Sequence, residues 1–177
     1  MFRVKDVMTD EVITCGPDDS LVTAIEIMRE RGCGCVPVVD ASNRVVGLVT
    51  DRDAVMCALR QGRSLRHLKV RDACTRSVIT CEMDDTLEHA ETLMRVNHVR
   101  RLPVLGPART LSGLLSLTDL ARYLELSEAG GGGGLSPRRI AVLLAETSGV
   151  RRPIAALDRT RARSSGPHPI VEPIFHG

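Results

Sequence analysis

A chain of 177 residues is long enough for one compact domain with a tail, and its hydrophobic fraction of 43% is ordinary for a folded protein. Aromatic residues make up 2% of the chain and tryptophan is absent, which excludes base-stacking platforms for single-stranded nucleic acid. The net charge of +2 is too small to favour general nucleic-acid binding.

Apolar runs in the sequence stay well short of the roughly 18 consecutive residues that a membrane helix needs. The first residues lead directly into a repeat, without an apolar signal segment, so we expect a cytoplasmic protein. Its six cysteines would then be reduced thiols, used mostly as small buried apolar residues. A redox-sensitive thiol, most plausibly in the Cys33-Gly34-Cys35 segment, remains an alternative.

Residues 4–59 repeat at residues 70–125 without a gap, at an offset of 66 and with about a third of the positions identical. A duplication of this length predicts two copies of one supersecondary unit that pack their apolar faces together. The predicted domains are residues 2–62 and 63–127, with a ligand-sized cleft between them.

Each unit is predicted to begin with a short β segment, residues 12–15 in the first and 78–81 in the second. An amphipathic helix follows, with Ser20 or Thr86 as its N-cap. Gly32 is expected just after the first helix, and His98 takes the equivalent place after the second.

Two β-rich runs and a closing helix complete each unit. The runs are residues 35–39 and 44–50, then 102–105 and 111–116, and the closing helices span about 53–59 and 119–126. The pattern predicts a mixed α/β (α+β) fold made of two pseudo-symmetric β-α-β-β-α units.

The composition changes after Glu128. Residues 128–135 contain five consecutive glycines and are predicted to be a flexible linker. Residues 136–177 form a basic tail, with a short helix at 137–148 that carries the apolar residues Ile140, Leu143 and Leu144. We expect the rest of the tail to be disordered, and truncation after Glu128 to leave a folded core.

A shared signature closes the second β-run of both units: Gly, two apolar residues, Thr or Ser, two variable residues, then Asp. It spans residues 47–53 and 113–119. Together with the opening residues 4–9 and the runs at 36–39 and 99–104, it makes each unit resemble a CBS domain. The pair resembles a Bateman module of the stand-alone bacterial type.

The resemblance implies a non-enzymatic regulatory module that binds AMP, ADP, ATP, S-adenosylmethionine or an NAD-type dinucleotide between the repeats, with Mg²⁺ if the ligand is ATP. In such a module Thr50 and Ser116 would bind phosphate, and Asp53 and Asp119 the ribose hydroxyls. The remaining residues that the resemblance assigns to the ligand are Thr14, Thr80, Val36, Pro37, Leu102 and Pro103 around the adenine, Arg100 and Arg101 near the phosphates, and Arg52 within the first signature.

The residue types favour this assignment independently, because a hydroxyl and a carboxylate three residues apart would project together beside a helix N-terminus, where phosphate is attracted. Two alternatives stay open. Asp53 and Asp119 could instead be the N-caps of the closing helices. Ligand could also occupy one of the two sites only.

The five histidines form no catalytic pattern, so no enzymatic activity and no resident cofactor are expected. A homodimer through apolar residues of the closing helices (Val55, Leu59, Leu120 and Leu124) is expected. The competing hypothesis is an adaptor whose core is a scaffold and whose basic tail engages an unknown protein partner.

Overall fold

The structure, a computed structural model, describes residues 2–127 and 135–148. In this part of the chain the helices are α1 (Leu21–Arg31), α2 (Asp51–Gln61), α3 (Val70–Ala73), α4 (Leu87–Val96), α5 (Leu117–Ser127) and α6 (Pro137–Thr147). The strands are β1 (Cys35–Val39), β2 (Val45–Thr50), β3 (Cys81–Glu82), β4 (Arg101–Leu105) and β5 (Leu111–Ser116). No helix in these described ranges is both long enough and apolar enough to cross a bilayer.

The predicted ends of the first helix of each repeat are confirmed. The Ser20 side chain accepts a hydrogen bond from Val22 N, and the Thr86 side chain accepts one from His89 N. Gly32 follows α1 in the left-handed region with φ 60°, and His98 has φ 53° at the equivalent position after α4. Each helix therefore begins at a hydroxyl cap and is followed by a left-handed residue, a glycine in the first repeat and a histidine in the second.

The closing helices begin two residues earlier than predicted. Thr50 is the N-cap of α2, because its side chain accepts a hydrogen bond from Asp53 N, and Ser116 accepts the same bond from Asp119 N. Asp53 and Asp119 are therefore not the N-caps themselves, but the capping alternative is confirmed in part, because each carboxylate helps to cap its helix. The two carboxylates lie in the first turn of their helices and accept hydrogen bonds from the residues that do cap them.

The strands pair as two small sheets. β1 and β2 form an antiparallel pair, and β4 pairs antiparallel with β5 and parallel with β3. The predicted β segments at 12–15 and 78–81 are largely wrong, since only Cys15 pairs in the first, with Val38, and only Cys81 in the second. The chain crosses between the repeats there, so one sheet cannot pair with the whole segment.

The crossing comes from an exchange between the repeats of their leading segments, residues 4–9 and 70–75: each segment packs on the other repeat. Val4 N donates to Asp85 O of the second repeat at 3.0 Å, and Val70 N donates to Asp19 O of the first at 2.9 Å. Thr9 pairs with Leu114, and Thr75 pairs with Leu48 in the same way. The packing units therefore do not coincide with the covalent repeats.

Two hydrophobic cores follow from this exchange. Val4 is fully buried in the core of the second repeat, with Leu102, Leu115 and Leu120, whereas Val70 is buried in the core of the first. Because each core contains a valine supplied by the other repeat's leading segment, neither repeat can complete its core alone.

The C-terminal helix α6 belongs to the second core, which the sequence analysis did not anticipate. It packs against α4 and α5, with Leu135 and Leu143 buried and Ile140 packed at the edge of the same core. Arg139, assigned from the sequence to a basic tail, forms an ion pair with the buried Glu91 of α4. The part of the predicted disordered tail beyond residue 148 lies outside the described residues.

Truncation after Glu128 is therefore expected to destabilise the fold, contrary to the expectation from sequence. Loss of the burial of Leu135 and Leu143 should lower the free energy of unfolding by about 3–6 kcal/mol. Chemical denaturation of this variant should be compared with that of a chain truncated after Ser148, since the two differ only by the glycine linker, Leu135 and α6. Equal midpoints for the two truncations would show that α6 does not contribute to the core.

Candidate functional site

A cavity of about 620 Å³ lies between the two repeats and is large enough for a nucleotide. The first repeat contributes the segment after Thr9 and the C-terminal end of α1, and the second contributes the N-terminal end of α5. The lining residues used below are Glu11, Val12, Ile13, Arg31, Cys33, Gly34, Arg100, Arg101, Ser116, Asp119, Arg122 and Leu144.

The signature of the second repeat lines this cavity. Ser116 N and Ser116 Oγ both donate to Asp119 Oδ2, at 2.8 and 2.6 Å, and Asp119 N donates back to Ser116 Oγ at 3.2 Å. The other carboxylate oxygen, Asp119 Oδ1, lies 4.0 Å from Arg122 Nη1. Oδ1 can therefore accept a ligand hydroxyl without breaking the local bonds, whereas Ser116 must release Asp119 before its single hydroxyl proton can reach a phosphate.

The charge of the cavity lining is positive. Four arginines (Arg31, Arg100, Arg101 and Arg122) line it with two acidic residues, Glu11 and Asp119. Leu117 N donates to Arg100 O at 2.9 Å, so the backbone of Arg100 is tied to the start of α5, beside the signature. A planar guanidinium can bind two phosphate oxygens at once, and these four side chains favour an anionic ligand.

The two repeats are not equivalent at this point. Gly34 and Cys35 occupy the positions of Arg100 and Arg101 in the first repeat. A Cβ atom added to Gly34 would lie 3.5 Å from Arg101 Nη2, so the guanidinium of the second repeat lies directly beside this glycine. The small residue leaves room for Arg101, and three of the four cavity arginines (Arg100, Arg101 and Arg122) come from the second repeat, whereas Arg31 comes from the first.

The signature of the first repeat has the same hydrogen bonds but a different surrounding. Thr50 N and Thr50 Oγ1 donate to Asp53 Oδ2 at 3.0 and 2.7 Å, and Asp53 N donates to Thr50 Oγ1 at 3.1 Å. Neither Thr50 nor Asp53 lines the 620 Å³ cavity, and Arg52 is exposed on α2. Of the two predicted sites, only the second borders this cavity.

The residues predicted to surround the adenine are dispersed. Thr80 lines a separate cavity of about 420 Å³ together with Arg44, Arg76 and Arg109, and Thr14 is half-buried and lines neither cavity. Val36 and Leu102 are fully buried in the two cores, and Pro37 and Pro103 are buried in β1 and β4. Neither cavity is lined by these four strand residues, so their contact with a base stays a prediction.

Several lining residues could not be found from the motif. Val12 and Ile13 replace Thr14 at the cavity because the segment crosses between the repeats. Arg122 stands three residues after Asp119, a helical spacing that places both on one face of α5 and is detectable once the helix is predicted. Leu144 carries no such signal, since its place depends on how α6 docks.

The cysteines divide by burial. Burial raises the pKa of Cys15 and of Cys81 to about 12, and that of Cys35 to about 11, so these thiols carry almost no thiolate at neutral pH. Cys33 is exposed and lines the cavity, and its Sγ donates to Cys35 O at 3.4 Å. Buried, protonated thiols favour the packing role expected for most of the cysteines.

Comparison with known proteins identifies both copies of the duplicated unit. The CBS domain family matches residues 4–59 and 70–126. The CBS domain-containing protein YhcV of Bacillus subtilis is 31% identical over 131 residues, which cover 74% of this chain and 91% of YhcV. Inosine-5'-monophosphate dehydrogenase of Methanocaldococcus jannaschii is 31% identical over 127 residues, 72% of this chain but only 24% of that enzyme.

Solved structures of CBS domain pairs share the fold. The pair of protein MJ0100, in complex with 5'-methylthioadenosine and S-adenosyl-L-methionine, has a TM-score of 0.62 and 26% identity over 70% of this chain and 95% of that one. CBSX2 in complex with AMP has a TM-score of 0.63 and 26% identity over 73% of this chain and 99% of that one.

Proposed function

Because the chain belongs to the CBS domain family and carries two copies of the domain, we propose that it is a regulatory module that binds an adenine nucleotide in the 620 Å³ cavity. One observation carries the proposal: the cavity joins a carboxylate that has an oxygen available for a ribose, Asp119, to four arginines suited to phosphate. The bound adenosyl ligands of the MJ0100 pair and CBSX2 support it.

The charge of the cavity lining favours some adenosyl ligands over others. AMP, ADP and ATP are anions, whereas S-adenosylmethionine, with a sulfonium, an ammonium and one carboxylate, has a net positive charge that a lining of four arginines and two acidic residues disfavours. We therefore propose a nucleotide as the ligand, bound chiefly at the second repeat's signature. Since the described residues contain no cluster of three or more His, Cys, Asp or Glu able to hold a metal, Mg²⁺ would enter on the phosphates of ATP.

Binding would link the two repeats, because the lining comes from both. A signal then requires that the ligand bind one conformation or one assembly state more tightly than another. The adaptor alternative depends mostly on residues 149–177, which lie outside the described residues, and the proposal therefore concerns the repeats and α6.

Substitution of the two signature aspartates separates binding from folding. Asp119→Ala and Asp53→Ala remove the same local hydrogen bonds, and similar losses of stability are expected. Only Asp119→Ala removes the carboxylate at the cavity, so calorimetry with AMP should show about 10- to 150-fold weaker binding, the equivalent of about 1.5–3 kcal/mol for a hydrogen bond to a charged group. Asp53→Ala should bind nearly as the unmodified chain does. Equal affinity in both variants would remove Asp119 from the site.

We also propose a homodimer, with a smaller interface than the sequence predicts. Leu120 and Leu124 are buried against their own core and are not available, which corrects half of the predicted contact. Val55 and Leu59 of α2 remain, 60% and 73% exposed, with Met56 beside them. Apolar side chains grouped on one exposed helix face favour an association surface.

Light scattering at micromolar concentration should give the mass of a dimer, and Leu59→Glu should give a monomer. Leu126→Glu is the matched control, because Leu126 is a similarly exposed leucine on a different helix, α5. A monomer mass for the unmodified chain, or a dimer that survives Leu59→Glu, would contradict the proposed interface.

A further inference from the structure

The helix α6 lies outside both repeats and yet is anchored in the protein interior. Leu143 is completely buried, and the helix packs against both α4 and α5. Both repeats are complete by residue 126, so this contact adds an element that the duplicated unit does not contain.

A buried charge on α4 specifies the docking of α6. Glu91 is 1% exposed, and its Oε2 accepts hydrogen bonds from Arg139 Nε at 3.1 Å and from Arg139 Nη2. Arg95 Nε lies 3.6 Å from the other oxygen. The first repeat has Ile25 at this position. A carboxylate is tolerated in the interior only with such partners, so the second repeat is adapted to hold α6 in this place.

The same helix reaches the cavity through Leu144. This residue follows the buried Leu143 and is 50% exposed, and it lines the cavity together with Asp119 and Arg122 of α5. The Leu144 side chain is apolar, whereas Asp119 and Arg122, which line the same cavity, are charged. It can favourably contact the nucleoside part of a ligand but not its phosphates.

We infer that α6 is a wall of the nucleotide site, and that ligand binding and the docking of α6 stabilise each other. The inference rests on the proposed function and names a regulatory element for that same site. A nucleotide that covers Leu144 removes apolar surface from water only while α6 is docked. Because coupling between two events is reciprocal, the ligand must then hold α6 in place as strongly as α6 strengthens ligand binding.

The test uses full-length protein and two exposed positions of α6. Leu144→Ala removes the apolar side chain from the cavity wall, and Val142→Ala removes a side chain that is 42% exposed and does not line the cavity. Titrations with AMP and ATP should show about three- to tenfold weaker binding for Leu144→Ala, the size expected from burying the exposed half of a leucine. Val142→Ala should stay within about twofold of the unmodified chain, and Leu144→Met should restore binding.

Hydrogen exchange supplies the reciprocal measurement. Amides of residues 138–147 should exchange more slowly with AMP bound, in the unmodified chain and in Val142→Ala, and this protection should shrink in Leu144→Ala. Equal affinity in Leu144→Ala and Val142→Ala, or exchange of α6 that AMP leaves unchanged, overturns the inference while the site itself stands. Absence of AMP and ATP binding to the unmodified chain overturns the proposed function and the inference together.

Discussion

The exchange of leading segments between the repeats is the constraint on which the rest of the structure depends. Val4 completes the core of the second repeat and Val70 that of the first, each held by an equivalent backbone hydrogen bond to Asp85 O or Asp19 O. The chain must therefore cross between the repeats after residue 9 and again after residue 75. The first crossing brings Val12 and Ile13 to the cavity, so the same exchange that closes the cores also builds one wall of the site.

Departures from the internal symmetry distinguish the second repeat from the first. Both signatures make the same hydrogen bonds around Asp53 and Asp119, but only the second lines the 620 Å³ cavity. Three of the four cavity arginines, the buried Glu91 and the helix α6 that Glu91 holds lie on that side, whereas Arg31 comes from the first repeat. The first repeat has Gly34, Cys35 and Ile25 at the positions of Arg100, Arg101 and Glu91. The two copies of the unit thus share one fold but differ in the charged residues near their signatures.

The sequence predicts those features that depend on local chemistry. Caps such as Ser20 and Thr86, the left-handed residue after α1 and the strands of each hairpin follow from side chains within a few residues. It does not predict that residues 12–14 cross from the second repeat to the first instead of forming a strand. The reason is that Thr9, just before them, pairs with Leu114, about 100 residues further along the chain. The docking of α6 was missed for a related reason. Arg139 appears as one of many arginines after a glycine run, and only its contact with Glu91 distinguishes it.

The most direct test of a nucleotide site is the dependence of affinity on ligand charge, measured by calorimetry with adenosine, AMP, ATP and S-adenosylmethionine under one set of conditions. The four arginines that line the cavity with Asp119 predict that affinity increases from adenosine to AMP and further to ATP, that nucleotide affinity decreases with salt, and that S-adenosylmethionine, with its net positive charge, binds more weakly than ATP. Binding of adenosine or S-adenosylmethionine at least as tight as that of ATP would contradict a site selected by its arginines.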